Sequence, residues 1–190
     1  MPQASQNGSL EILIKAAAAG DKPAFGRLYE LYASEIFRYL YFRADGKTEA
    51  EDLTEMVFIK AWEKLPSFGK GKRGLNFRAW LYRIAHNLAI DHQRGKREVS
   101  PLEEMREIQS YSLGVEELAE NREEVRELRV ALGKLEPIHR QIVELRFIAG
   151  LDHKETASLM GLSSGNVRVI QFRALQHLRE FLSASDSRNR

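Results

Sequence analysis

The stretch GLSSGNVRVIQFRAL, from Gly161 to Leu175, sets Arg168 and Arg173 among Val167, Ile170, Ala174 and Leu175. An apolar stripe interleaved with guanidinium groups suits a helix that packs on one side and meets an acidic ligand on the other. Ser164, Asn166, Arg168, Gln171 and Phe172 fall in the first half of that segment. There, free backbone N–H groups favour a phosphate, and long side chains reach base edges. Arg146, at the end of the preceding helix, is a further candidate for backbone phosphate. A second basic run spans Lys70 to Arg97. It holds Lys70, Lys72, Arg73, Arg78, Arg83, Arg94, Lys96 and Arg97 against Asp91 alone, with Phe77, Trp80, Tyr82 and Asn87 interleaved. Cations attract phosphates and aromatic faces receive unstacked bases, the chemistry by which single strands are held. The pattern also fits a solvated basic face over an aromatic core, with Phe77 and Trp80 inside.

Other chemistries find little support. His86, His92, His139, His153 and His177 are scattered, with no pair at metal-ligand spacing on one helical turn. There is no cysteine, no phosphate-binding glycine loop and no nucleophile motif. No catalytic residue, metal, cofactor or small-molecule substrate is expected.

The elements that must place these residues read as helices throughout. Proline is scarce, and apolar residues recur at i, i+3, i+4 spacing. A short first helix is expected over Leu10–Ala19. Asp21 then caps a long helix carrying Phe25, Leu28, Tyr29, Tyr32, Ile36 and Leu40. Thr48 with Glu51 has the form of a capping box opening a third helix. Pro66 and the glycines of PSFGKGKRG mark a loop, and a helix over about Asn76–Arg94 follows. Further on, helical pattern resumes near Val115 and runs through Leu128 and Leu132. Pro137 sits at a first helical position ahead of Ile138, Ile142 and Leu145. Asp152 and Glu155 form a second capping-box pair for a short helix, Asp152 to Met160. Gly161 supplies a turn, Leu162 an apolar plug and Ser163 a cap for the last helix, whose inward stripe is Val167, Ile170, Ala174 and Leu178. This is the layout of a helix-turn-helix, although an unrelated small bundle with a sharp turn has the same spacing.

Between these halves the periodicity fails. Glu98, Glu103, Glu104, Glu107, Glu116, Glu117, Glu120, Glu123 and Glu124 are opposed only by Arg106 and Arg122. The expected organisation is all-α: a domain over 1–95, a flexible acidic linker over 96–121 and a second domain over 122–190. The 190 residues carry a formal net charge of +2 and are 43% apolar, enough for two small cores. No apolar run reaches bilayer length, and MPQASQNGSLEIL has neither the basic start nor the apolar stretch of a secretion signal. A soluble cytoplasmic protein without membrane insertion is the expectation.

The helix EDLTEMVFIKAWEKL is apolar on more than one side. Leu53, Val57 and Ala61 make one stripe; Met56, Phe58, Ile59 and Trp62 widen it, with Asp52, Glu55, Lys60 and Glu63 around the excess. A charged rim about surplus apolar surface points to protein docking, and a central bundle helix buried all round reads the same way.

AEDLTEMVFIKAWEKLPSF, FRAWLYRIAHNLAIDHQR and LEPIHRQIVELRFIAGLDHKETASLMGLSSGNVRVIQFRAL together resemble the extracytoplasmic-function (ECF) group of bacterial sigma factors. The likeness covers nearly the whole chain outside the linker. It implies a sigma region 2 domain that binds core RNA polymerase at the β′ clamp helices and holds the non-template strand of the −10 element. It also implies a sigma region 4 domain that reads the −35 element as duplex and contacts the β flap. By position, Asp52, Glu55, Phe58, Lys60 and Trp62 match the polymerase-binding helix. The loop from Ser67 to Gly74, with Lys70, Lys72 and Arg73, matches the one that pockets a flipped −10 base. Asn76, Arg78, Arg83, His86 and Asn87 match the helix along the −10 strand. Arg146, Asn166, Arg168, Phe172 and Arg173 match the −35 contacts, beside the candidates Ser164 and Gln171 on the same helix. An anti-sigma factor is an implied partner.

There are departures. Many members carry serine and arginine after the VR of the last helix, where this chain has Val169 and Ile170. Fewer polar side chains then face the groove, and the usual −35 sequence is not implied. No extra C-terminal sensor domain and no autoinhibitory N-terminal region are expected. An acidic tether between basic domains is expected to lie in channels built for nucleic acid without competing for the promoter. Rival readings are a stand-alone helix-turn-helix regulator, which leaves EDLTEMVFIKAW idle; an enzyme; and a pure interaction module that touches no DNA.

Overall fold

The computed structural model describes residues 3–69, 76–99 and 122–186. All regular structure among them is helical. The chain divides into two compact units, Met1–Tyr111 and Ser112–Arg190. The acidic tether expected over 96–121 lies outside the described residues except at 96–99, and so do Lys70, Lys72 and Arg73.

In the first unit, α1 (Gln3–Ala18) packs on α2 (Lys22–Tyr41), α2 on α3 (Lys47–Lys64), and α4 (Phe77–Val99) on both α3 and α2. α1 starts seven residues before the expected Leu10, because a polar leading turn carries no apolar period to announce it. Asp21 caps α2 as its type dictates, accepting the Ala24 N–H at 3.0 Å. The capping box expected at Thr48 and Glu51 does not form. α3 opens at Lys47 behind Gly46, and its third residue, Glu49, reaches back to accept the Asp45 N–H. Glu51 instead lies 3.6 Å from the buried Lys47 Nζ, one turn earlier. The other Glu49 oxygen meets His92 of α4, tying the start of α3 to that helix. α3 ends at Lys64, and a single 3-10 turn, Leu65–Ser67, carries Pro66 directly after it. α4 is capped by Asn76, whose side-chain oxygen accepts the Ala79 N–H at 2.7 Å. It continues through Gly95 to Val99, beyond the expected Arg94 and into the stretch assigned to the tether.

The core of this unit is Leu28, Ile36, Phe37, Leu40, Val57, Ala61, Leu65 and Leu81. Burial of one such large apolar side chain contributes roughly 1.5–3 kcal/mol before the entropy of ordering it.

The second unit contains α5 (Arg122–Gly133), α6 (Pro137–Val143), α7 (His153–Met160) and α8 (Ser164–Asp186). Pro137 opens α6, where its missing N–H is harmless. α6 runs straight into a π-helical turn, Glu144–Ile148. Glu144 is fully buried there, with Oε1 accepting from Arg140 Nε at 2.7 Å. Ile142, Ala157 and Val167 form a buried cluster that brings α6, α7 and α8 together, with Leu162 and Ile170 against it. Leu132, Leu145, Leu151 and Ala174 extend the core. Ile138, directly after Pro137, is 41% exposed.

Candidate nucleic-acid interface

The turn between α7 and α8 is fixed by three local devices. Asp152 accepts the Lys154 and Glu155 N–H groups at 2.7 Å each, and the Glu155 carboxylate returns a 2.7 Å bond from the Asp152 N–H. The box predicted from Asp152 and Glu155 is therefore complete. The Glu155 N–H bond, with help from that of Lys154, holds the Asp152 carboxyl below its ordinary pKa. Gly161 ends α7 at φ +70°, a backbone conformation that glycine adopts without a Cβ penalty. Ser163 then caps α8, its Oγ accepting the Asn166 N–H at 3.2 Å.

These devices set the rotation of α8. Val167 and Ala174 are fully buried, and Ile170 and Leu178 are half-buried beside them, as the stripe predicted. The outward side shows Asn166, Arg168 and Arg173, all exposed, around Val169 at 51% and Phe172 at 64% exposure. Ser164 is half-buried in the first turn. Arg146 and Gln171 are not both turned outward: Arg146 Nε donates to Gln171 Oε1 at 3.0 Å, and its Nη1 donates to the Leu151 carbonyl. Arg146 thus braces α8 and the α7 approach from the π-helical turn. Val169 was visible in the sequence only as a departure, and its exposure makes it part of this face.

On α4, Arg83, Asn87 and Arg94 recur at helical spacing along one side; Arg83 is half-buried and the other two are exposed. Arg78 is engaged at its Nε with Glu35 at 2.9 Å and lies over the Tyr82 ring at 5.3 Å. Burial, with Glu35 near, raises the Tyr82 phenol pKa. His86 departs from the expectation of a strand contact. It is 5% exposed, and its Nδ1 shares a 3.0 Å hydrogen bond with the Tyr39 hydroxyl. Burial, reinforced by the Arg43 guanidinium, lowers its pKa to about 3, so the ring is a neutral core group at ordinary pH. Asn76 serves the helix start as the cap described above. Phe77 is buried; Trp80 is half-buried, and both rings pack with Phe68, at 5.6 Å and 5.0 Å, just before the 70–75 segment.

α3 resolves into two faces. Leu53, Val57 and Ala61 are buried, and so is Phe58, stacked edge-on against Tyr29 at 4.7 Å. Phe58 is a core residue rather than an outward contact. Trp62 is half-buried, edge-on to Phe25 at 4.9 Å, and Lys60 is half-buried. The opposite side presents Met56 at 44% and Ile59 at 59% exposure, with Asp52, Glu55 and Glu63 exposed around them. An apolar centre inside an acidic rim is the chemistry of a docking surface for a protein with basic margins.

Among the described residues no group of three or more His, Cys, Asp or Glu side chains is placed to hold a metal ion, and no helix is long and apolar enough to cross a membrane.

Comparison with known proteins agrees with this division. Residues 28–99 match the family model for sigma-70 region 2, and residues 131–180 match that for sigma-70 region 4. The chain is 35% identical over 181 residues to the ECF RNA polymerase sigma factor BldN of Streptomyces coelicolor, covering 94% of this chain and 67% of that one. It is 33% identical to the ECF RNA polymerase sigma factor SigD of Mycobacterium tuberculosis, covering 95% and 88%. Among solved structures, CnrH in complex with the cytosolic domain of CnrY superimposes with a TM-score of 0.71 at 28% identity, covering 91% of this chain and 96% of that one.

Proposed function

Because the chain belongs to the ECF family of RNA polymerase sigma factors, we propose that it binds core RNA polymerase through the outer face of α3 and delivers it to promoters read by α4 and α8. The α3 surface of Asp52, Glu55, Met56 and Ile59 meets the β′ clamp helices. Lys60 and Trp62 border it, and Phe58 supports it from within. The exposed side of α4, with Arg83 and Asn87, follows the non-template strand of a melted −10 element. Lys70, Lys72 and Arg73 belong to that same strand contact. α8 enters the major groove of a −35 duplex with Asn166, Arg168, Phe172 and Arg173, while Ser164 and the helix start face phosphate. The second unit also meets the β flap. An anti-sigma factor covers these surfaces when the protein is held silent; the similar protein CnrH is known in complex with the cytosolic domain of CnrY. The proposed place of action is the cytoplasm, and the role is that of an initiation factor rather than an enzyme.

The observation that carries this reading is the two-sidedness of α8. Its inner stripe is consumed by the core, yet its outer side combines two exposed arginines, an exposed asparagine and two exposed apolar groups. A stand-alone helix-turn-helix regulator has the same α8, but it gives no reason for Ile59 at 59% exposure inside an acidic rim. Run-off transcription from a randomised promoter library, with core polymerase plus and minus the protein, tests the proposal. Protein-dependent transcripts that share two spaced sequence elements support it. Duplex binding without any gain in transcription would favour the stand-alone regulator.

A further inference from the structure

Resting on the reading that α8 enters a promoter major groove, we propose that Val169 is a specificity-determining residue which, together with Phe172, reads the C5-methyl groups of thymines. The two side chains are one turn apart on α8, at 51% and 64% exposure. They are not core residues left partly uncovered, because the core side of the helix is already complete. Val167 and Ala174 are fully buried, and Ile170 packs on the Ile142, Ala157 and Val167 cluster. Gln171, four residues after buried Val167, lies toward the core side of the helix, where its Oε1 accepts from Arg146 Nε at 3.0 Å. In the first turns of α8 the centre of the outward side is apolar, with Gln176 following one turn after Phe172, and its flanks are Asn166, Arg168 and Arg173.

An apolar centre between two guanidinium groups selects its ligand on two counts. The cations favour a polyanion on both sides, which a protein groove supplies less readily than a duplex backbone. Within the major groove, the one apolar group that a base edge presents is the thymine methyl. A short hydroxyl at position 169 would accept or donate at several bases; a valine gains only where a methyl is there to bury. Burial of one methyl-sized group is worth about 0.8 kcal/mol, close to a fourfold change in affinity.

The test begins with the full chain bound to core polymerase and a library of duplexes randomised across the upstream element. Recovered duplexes are sequenced. Each thymine in the consensus is then replaced singly by deoxyuridine, which removes the methyl and keeps every hydrogen-bonding group. Thymine at one or two fixed positions is expected, with about fourfold weaker binding for each uracil there. In V169S the penalty at one of those positions is expected to disappear, while the salt dependence of binding stays as in the wild type. A consensus without fixed thymines, or one indifferent to uracil, overturns the methyl reading and leaves duplex recognition by α8 standing. No enrichment at all overturns both. A V169S protein that keeps its duplex preference but loses polymerase affinity would assign the apolar pair to a protein surface, and also overturns it.

Discussion

Phe58 and Ile59 are neighbours in sequence and opposites in burial, at 4% and 59% exposure. The difference separates a core role from the proposed docking role at single-residue resolution. Phe58→Ala removes a ring packed against Phe25 and Tyr29; a loss of roughly 3–5 kcal/mol is expected, measured by urea unfolding. Ile59→Ser is expected to leave stability within about 0.5 kcal/mol and to lower core polymerase affinity by roughly an order of magnitude. Equal damage to both properties would place Ile59 in the core instead. His86 carries a pH dependence of defined sign. Its folded pKa is about 3 against an ordinary value of 6.5, so between those limits the unfolded chain binds a proton that the native state refuses. Stability therefore falls as pH drops through that window, by on the order of 1 kcal/mol from this residue at pH 5.5. Denaturation at pH 7.5 and 5.5 should show that loss in the wild type and a flatter profile in His86→Gln. The sequence showed His86 beside Asn87 on a basic aromatic helix, which suggested a strand contact. It could not show Tyr39, forty-seven residues away, waiting for its ring nitrogen. Long-range partners of this kind leave no local signal.

Helix starts were legible where the capping residue also fixed the backbone. Asp21 and Asp152 each precede a clear apolar period, and both cap as read. Thr48 misled because Gly46 and Lys47 allow the helix to open earlier, which hands the reach-back to Glu49 and leaves Glu51 to pair with Lys47. Removing the Asp152 carboxylate strips two N–H partners from the start of α7. Asp152→Ala is expected to destabilise the second unit by about 1 kcal/mol, seen as a lower unfolding midpoint. The brace from the π-helical turn to α8 makes a separate prediction. Arg146→Lys keeps the positive charge but replaces the rigid fork that reaches Gln171 and the Leu151 carbonyl from two separate nitrogens with a single flexible ammonium. Duplex binding is expected to fall about tenfold, with about 1 kcal/mol lost in stability. Full binding by the lysine variant would show that the residue acts through charge on phosphate alone. Sequence placed Arg146 near DNA but not its two inward bonds, since the extra residue in a π turn shifts register in a way that a 3.6-residue period does not register.

The organisation into two helical bodies followed from the failure of periodicity after residue 98, and the structure divides the chain accordingly, although α4 reaches further than the pattern indicated. A complex that grips polymerase and promoter at several points has one arm's dissociation masked by the others. Arg168→Ala is therefore expected to weaken isolated −35 duplex binding about tenfold while core polymerase affinity stays unchanged, by titration of each ligand separately. Parallel loss of both would mark Arg168 as structural. The glycine at φ +70° between α7 and α8 has a longer reach than its single residue suggests. Because it sets the direction of α8 without touching anything within 4 Å of where a Cβ would stand, an alanine there meets no clash and still strains the bend. Such a change leaves the body folded and mis-aims its hand. Under the proposed function such a protein is expected to occupy the transcription machine and lead it nowhere, a dominant competitor created by one methyl group.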